Sequence, residues 1–539
     1  MKNCLSLIAS LVLGSTLLFG QEVEIHNGAE FKIAKKKRVD GFVENNDNML
    51  SLVTYSYKLF ETADNRTELI VLDENLNFYN QFPITLPTSD DGKITFRETK
   101  KFKGKLYLIS RMYERGGNLK LFASTLDATT GTLGTHFELL SYNTKEQGDL
   151  DRYDFIMSRD SSKMVLLLEY RTKKDEPVKT GFKVFTDDLT TLWQADIILP
   201  TPDKNTTITD YLLDNNGNIH MVARIALDKS DRDEKGTNVR YKYSLFSYFH
   251  ETKTVKEYDL FLQNNYLTGL TLLQNKNNEL IGSAFYTNDK ATSGIKGFLN
   301  FKLDLTTYEV KNSQMNDFDD AFLKNFLTDR QVEKGRGVRN FRTRYVFPTS
   351  DNGYAFVVEE FDYTVSTYTS YNPQTKTTEV KTSERWIFGD VVVFYVDPVG
   401  KTKEVGILKK QQISSATTSG YSGHGRDGFG TYHPARYWGI SAMMKNDKVY
   451  IVYNDNTKNT IPNAEKMYIS NNIKKCTTML AIIGPGSEYS SSALFKSRDK
   501  SAKYKSAIIP RFNFTFSDSE QVIVGGAANY LRFMKIKVK

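Results

Sequence analysis

The stretch Gly181–Pro200, GFKVFTDDLTTLWQADIILP, limits more than any other what this chain can fold into. An apolar alternation leads into a tight polar turn at Asp187-Asp188-Leu189-Thr190, and a second alternation leaves the turn and ends at proline. Leu69–Pro87, LIVLDENLNFYNQFPITLP, has the same layout. Period-two alternation on both sides of a polar turn is the pattern of a β-hairpin with one half-buried face.

The unit recurs along the chain. Its leading strand reads MLSLVTYSY (49–57), KLYLISRMY (105–113), KMVLLLEYR (163–171), IHMVARIA (219–226), ELIGSAFY (279–286), YAFVVEEF (354–361), KVYIVYND (448–455) and QVIVGGA (521–527). Most copies follow a turn of Asn, Asp, Ser, Gly or Lys, such as Asn215-Asn216-Gly217-Asn218, residues that tolerate positive φ or bond their own backbone. The starting positions lie 56, 58, 56, 60, 75, 94 and 73 residues apart. A strand-only period of this size, too long for a hairpin and too short for a domain, is the signature of propeller blades. A lone blade cannot bury both faces. Stacking blades in a ring buries them and removes open edges. The last copy, FMKIKVK (533–539), ends without a partner strand, and EVEIHNGAEFKIAKK (22–36) carries two short alternating runs without a hairpin mate. The expectation is therefore an all-β chain: an eight-bladed β-propeller, with seven as the alternative, closed by the N-terminal strands pairing with the C-terminal strand.

Composition narrows the setting. Lys2 followed by the apolar run Leu5–Leu13 predicts a signal peptide over residues 1–20, with 21–539 as a single propeller domain. Cys4 precedes the apolar run rather than following it, which does not fit a lipid anchor, and no later segment is apolar enough to span a bilayer as a helix. An exported chain follows, with periplasmic, outer-surface and secreted placements all open. Cys476 is the one cysteine beyond that segment, so no disulfide inside the expected mature chain and no cysteine-ligated zinc is expected. A net charge of +8 spread over 72 basic and 64 acidic residues is mild, and with no recognition module it does not suggest nucleic acid. Two basic clusters, Lys35-Lys36-Lys37-Arg38 and Arg336, Arg339, Arg342 and Arg344, fit a solvated face or strand rim, or a contact with an anionic polymer or lipid head groups.

The wide spacings mark insertions at 316–344 and 409–444. In the first, Phe318, Phe322 and Phe326 recur at helical spacing behind Asn316 and Asp317, which predicts one amphipathic helix. The second is rich in Gly, Ser and aromatics without clear periodicity, and long loops in compact domains are often functional. It gathers the candidate binding residues His424, Arg426, Asp427, Tyr432, His433, Arg436 and Trp438. Trp438 and the tyrosine offer stacking surfaces for a sugar or peptide. The bland alternative is a structural rim loop. The two histidines match no metal-ligand spacing, so neither metal nor cofactor is expected.

Other acidic groups read as structure. Asp214–Asn218 resembles part of a calcium loop but lacks the downstream bidentate Glu, which leaves a β-turn. Glu359 and Glu360 end a strand. Strict alternation puts them on opposite faces, so they are not a paired acid and base, and strand-end charges are normally solvated or ion-paired.

The units Tyr395-Val396-Asp397-Pro398-Val399-Gly400-Lys401 and Leu303-Asp304-Leu305-Thr306-Thr307 resemble the strand–turn–strand of many bacterial secreted β-propeller proteins. Phe318–Tyr363, Asp390-Val391-Val392-Val393 and Lys409-Lys410-Gln411-Gln412 are similar to uncharacterised exported members of that group. The resemblance implies the fold and brings no catalytic residue. The expected function is a non-enzymatic binding or scaffold protein of the cell envelope, presenting rim loops to a partner protein or a glycan. A polysaccharide-active enzyme, hydrolase or lyase, with its site at the central mouth is the alternative.

Overall fold

The computed structural model describes residues 22–539 except 34–36, 45–49, 57–66, 115–116, 144, 146–149, 172–174, 228–240, 259, 261–264, 275–278, 289–293, 306, 308, 421–432, 461–465, 487, 495–506, 518 and 528–529. The signal segment expected at 1–20 lies outside the described residues.

Among the described residues the strands form eight antiparallel sheets, taken up one after another along the chain. Sheet 1 spans 37–84, sheet 2 94–143, sheet 3 150–202, sheet 4 206–258, sheet 5 265–317, sheet 6 341–419, sheet 7 440–493 and sheet 8 508–538. In sheets 1 to 7 four strands lie side by side in chain order, and sheet 6 carries a fifth. Sheet 8 takes its fourth strand from the other end of the chain: Val23–Asn27 pairs with Tyr530–Val538, Val23 opposite Val538 and Asn27 opposite Met534.

The apolar runs explain the stacking. In Met164–Tyr170 of sheet 3, Val165 and Leu167 pack toward Ile219 and Met221 of sheet 4. Met164, Leu166 and Leu168 pack the other way, toward Ile109 and Leu121 of sheet 2. Successive side chains of a strand point to opposite faces, so a strand buried on both faces must be apolar throughout. Sheets 1–2, 4–5, 5–6 and 6–7 are joined by similar clusters. Sheet 8 meets sheet 7 through Ile523, Met534 and Ile536, and sheet 1 through Val522, Val524 and Phe533. Each fully buried Val or Leu is worth about 1.5–3 kcal/mol, so these interfaces dominate stability.

Tight turns set the hairpin register. Leu189 N–H bonds the Thr186 carbonyl, Thr186 N–H bonds the Thr190 carbonyl, and Leu189 sits at φ 65°. Gly400 (φ 92°) takes the same place after Asp397, and Gly131 (φ 73°) closes a turn one residue longer after Asp127. A left-handed residue after a type I turn matches the twist of the strands. Leucine stands at position 189 because its side chain is buried between sheets 2 and 3.

Two insertions differ from the sequence expectation. The single helix expected from Asn316 is two short ones, α1 (Asp320–Leu323) and α2 (Asp329–Glu333). Asn316 and Asp317 instead end a strand of sheet 5. Asp319 caps α1 by accepting the Phe322 N–H at 2.7 Å, and Thr328 starts α2 by bonding its N–H to the Gln331 side chain at 2.9 Å. The phenylalanine spacing serves packing: Phe318, Phe322 and Phe326 gather on Phe341. The start of the 409–444 loop is also a strand, Gln412–Ser419, paired with Thr377–Val396 from Phe388↔Gln412 to Lys381↔Ser419. It joins an arm made by Tyr354–Asn372 and Thr377–Val396. Its sequence, QISSATTS, hides the strand because much of the arm lies in solvent and needs no apolar alternation.

Candidate functional site

Antiparallel order sorts the connections by end. Those from first to second and from third to fourth strands lie at one end, and there the chain is terse: two residues at Lys103–Gly104 and six at Ser158–Lys163. Turns of neighbouring sheets meet at that end, with Lys103 paired to Asp187 and Ser350 N–H bonded to Asp447 at 2.8 Å. Connections from second to third strands, and from one sheet to the next, lie at the opposite end. Here fall α1 and α2, the arm, residues 433–439 ahead of Ile440, and the described residues between Asn456 and Cys476. One end is plain and the other elaborated.

The first strands of neighbouring sheets touch: 206–213 meets both 150–157 and 265–274, and 508–517 meets 37–44 and 440–445. Six of these strands slip by one residue against their partners, at Asp40, Arg97, Asp151, Thr209, Thr268 and Arg344. A bulge leaves its residue out of the ladder and re-aims it. Thr209 and Thr268 turn their hydroxyls back onto the carbonyls of Val222 and Phe285. Asp40 reaches the next first strand and accepts the N–H and hydroxyl of Thr99 at 2.7 and 2.8 Å.

At Arg344 the bulge builds a charged centre. Glu359, fully buried, accepts from Arg344 Nε at 2.7 Å and from Lys410 Nζ at 2.8 Å, and an Arg511 terminal nitrogen lies 3.6 Å away. Burial alone pushes the Glu359 carboxyl up, but Lys410, Arg344 and Arg511 outweigh it and hold it at about 2. Burial lowers Lys410, with Glu359 opposing, and burial with the Arg344 charge brings Arg511 to about 9. Arg342, Arg344 and Arg511 all lie against the Phe361 ring, their guanidinium carbons 5.7, 4.9 and 6.0 Å from its centre. A polar thread continues the centre into sheets 7 and 8. Lys410 bonds Gln412 at 3.2 Å, Gln412 bonds the Asn454 carbonyl at 2.8 Å, and Asn454 donates to the Tyr437 and Ile508 carbonyls. Gly439 makes room, because a Cβ there would sit 3.0 Å from Arg511 Nε on a backbone at φ 92°.

Two further carboxyls stand nearby. The pairing of Tyr354–Asn372 with Thr377–Val396 slips between Glu359 and Phe361; the extra residue lies in Thr377–Val396, and Glu360 keeps its place opposite Phe341. Both glutamates feel the Lys410 charge. Burial raises Glu360, and the Asp390 charge adds to it. Asp210, on the first strand of sheet 4, is raised by burial to about 6 despite the charge of Arg342.

Of the residues predicted from sequence, His424, Arg426, Asp427 and Tyr432 lie outside the described residues. His433, Arg436 and Trp438 are described together, at the foot of the arm. His433 Nδ1 accepts the Ala435 N–H at 3.1 Å, and its ring meets Trp386 edge-on at 5.0 Å. Trp438 is 3% exposed in one cluster with Phe361, Trp386 and Phe388, so it packs as core. Arg436 lies over the Tyr437 ring at 4.7 Å. Glu359 and Glu360 do not end a strand, because theirs runs on to Asn372, and Glu359 is ion-paired rather than solvated, its side chain 0% exposed. The sequence reading left out Lys410 and Arg511. Asp214 spends its oxygens on Asn218 and His220, as a turn does. Among the described residues no group of three or more His, Cys, Asp or Glu is placed to hold a metal ion, and no helix is long and apolar enough to cross a membrane.

No protein-family model and no curated protein matches the chain. Solved structures similar to it include the WD40 domain of SCAP from fission yeast, at 10% identity and TM-score 0.36, covering 96% of this chain and 94% of that one. Polysaccharide lyase Uly1 aligns at 9% identity and TM-score 0.34 over 96% and 99% of the two chains. A protein of unknown function from Dyadobacter fermentans DSM 18053 aligns at 8% identity and TM-score 0.29 over 72% and 94%. The propeller assignment rests on the chain's own sheet order and packing.

Proposed function

We propose that the eight sheets close into one eight-bladed β-propeller over residues 21–539, exported by the segment at 1–20, which binds a partner protein or polymer of the cell envelope through its elaborated end. Contact between sheets 8 and 1, and the seat of Val23–Asn27 in sheet 8, support the closed ring. One observation carries the function: the long connections emerge at one end, while the other keeps to minimal turns. Stability alone calls for short turns at both ends. Variable connections on a rigid frame are where propellers and other scaffolds place recognition. Glu359, held ionised among cations, is a poor proton donor at neutral pH, which favours binding over acid catalysis. The test is recovery of the tagged mature protein from its native envelope, with mass spectrometry of what co-purifies. A stoichiometric partner lost when the 421–432 segment is replaced by a short linker, and kept when plain-end turns are substituted, supports the reading. Equal capture by all variants sinks it.

A polysaccharide-active enzyme is the second reading, favoured by one observation. Asp210, at about 6 and within the field of Arg342, is a carboxyl poised for proton transfer near a cation. Release of reducing ends or unsaturated uronates from acidic polysaccharides, abolished in Asp210→Asn, would establish it.

A further inference from the structure

The outer edge of the arm breaks a rule that other edges of the molecule keep. An edge strand is a template for another strand, and proteins blunt theirs with charge, proline, bulges or shortness. Phe78–Ile84, the outer strand of sheet 1, carries Pro83. Thr254–Tyr258 of sheet 4 is five residues long with Lys256 and Glu257, and Thr402–Leu408 of sheet 6 carries Lys403 and Glu404. The arm strand Tyr354–Asn372 has none of these devices where it leaves its sheet. The first strand of sheet 6 and Asn340 cover it only as far as Phe361. From Phe361 to Asn372 it pairs without a bulge to one neighbour, Thr377–Val396. Among the described residues no strand pairs with its other side over 364–371, TVSTYTSY, and no charged residue stands between Asp362 and Lys376. Both faces are open to solvent here: Val365 and Tyr371 on one and Tyr368 on the other are 51%, 61% and 46% exposed.

The sequence of this edge is nearly its own reverse. Around Tyr368 it reads Ser-Thr-Tyr-Thr-Ser, flanked by Val365 and Tyr371. Two copies set antiparallel about a two-fold axis at Tyr368 bring Thr367 opposite Thr369, Ser366 opposite Ser370 and Val365 opposite Tyr371, with the two Tyr368 rings side by side. Hydroxyl pairs, aromatic pairs and β-branched–aromatic pairs are the kinds that stabilise a cross-strand contact, and no like charges meet. The tip of each arm, with Lys376, comes toward the end of the other strand that holds Asp362, so the charges at both ends are complementary. A strand from another protein requires no such symmetry. Pairing over 364–372 spans about 30 Å and supplies roughly the ten main-chain hydrogen bonds of a standard interface.

We propose that the chain forms a two-fold dimer through its arms, the edge strands pairing antiparallel about Tyr368 to join two three-stranded arms into one continuous sheet. A contact of this kind uses the same patch on both copies, so it closes on itself and does not propagate. It doubles the elaborated end and does not depend on what that end binds. Because the contact is one strand wide, the dimer is expected to dissociate in the micromolar range.

The test is sedimentation velocity of residues 21–539 across the micromolar range, where a monomer–dimer equilibrium is expected. Tyr368→Lys and Tyr368→Glu, at an exposed position, each set like charges together at the two-fold axis, and each alone should raise the dissociation constant about tenfold or more with the thermal melt unchanged. An equimolar mixture of the two should dimerise again, since residue 368 meets only itself across the axis. Val255→Lys, the same kind of change on the outer strand of sheet 4, should leave the equilibrium as it is in wild type. A wild type that stays monomeric overturns the proposal and leaves the edge to an extended segment of another protein. A dimer that either charge variant keeps, or that the mixture fails to restore, overturns it as well.

Discussion

Sheets 3 and 6 share one plan and use one position in opposite ways. In sheet 3 the second strand runs Met164 to Leu168 and then reaches Glu169, opposite Arg152. In sheet 6 it runs Tyr354 to Val358 and then reaches Glu359, opposite Arg342. Glu169 lies 4.0 Å from Arg152, and the two side chains are 26% and 58% exposed. Glu359 has no exposed surface and three cations around it. What differs is the cover. The chain leaving sheet 6 brings Lys410 over Glu359, sheet 8 brings Arg511, and Phe361, Trp386 and Trp438 close the side. An ordinary rim charge becomes a buried centre because insertions at the elaborated end cap it. The frame is common to both sheets, and the specific chemistry lies in what was added.

The largest expected effect is at that centre. Glu359→Gln leaves buried cations without their carboxylate, and breaking a buried pair in this way costs about 3–5 kcal/mol. Urea denaturation near neutral pH measures it. The double change Glu359→Gln with Lys410→Met should recover part of the loss, since one of the uncompensated charges goes with it. The pH dependence has a definite sign. Glu359 sits at about 2 when folded against an ordinary 4.5, so its contribution is present above 4.5 and disappears as pH falls from there toward 2. The stability gap between wild type and Glu359→Gln should narrow over that window. A gap constant in pH would mean the carboxylate is not what holds the cations.

Next in size is Leu167→Ala, which empties a fully buried site between sheets 3 and 4 and should cost about 2–5 kcal/mol. Unlike Glu359→Gln, it should show no special dependence on acid. This half of the molecule was legible in the sequence. KMVLLLEYR announces a strand buried on both faces, and Asp188-Leu189 announces its turn, because packing and turn chemistry act on neighbouring residues. The first strands were not legible. Thr206–Leu213, TTITDYLL, and Phe341–Pro348, FRTRYVFP, mix polar and apolar residues, because they carry bulges and are only partly buried along most of their length. The charged centre was illegible for a related reason. Glu359, Lys410 and Arg511 are far apart in sequence, and only the packing of sheets 6 and 8 brings them together.

Asp210→Asn should move stability the other way. Its carboxyl is raised to about 6 from an ordinary 3.8, so the folded state bears a penalty above about pH 6 that is relieved as pH falls toward 3.8. Asparagine keeps a carbonyl oxygen for the Tyr211 and Leu272 N–H groups without the charge. The variant should gain about 1–3 kcal/mol near pH 8 and nothing near pH 4. A loss at pH 8 would show that the Arg342 charge, and not burial, governs this carboxyl.

The smallest effect is the sharpest check on the comparison. Glu169→Gln removes the sheet 3 counterpart of Glu359, in the same place on the same strand plan. Because the pair with Arg152 is long and open to water, its loss should cost about 0–1 kcal/mol, with Arg152 solvated rather than stranded. Thermal melts of Glu169→Gln and Glu359→Gln in parallel measure the contribution of cover alone, since the chemistry of the two substitutions is the same. Near-equal losses would mean that the strand plan itself requires a carboxylate at this position, and the insertions of the elaborated end would then have no part in making the charged centre.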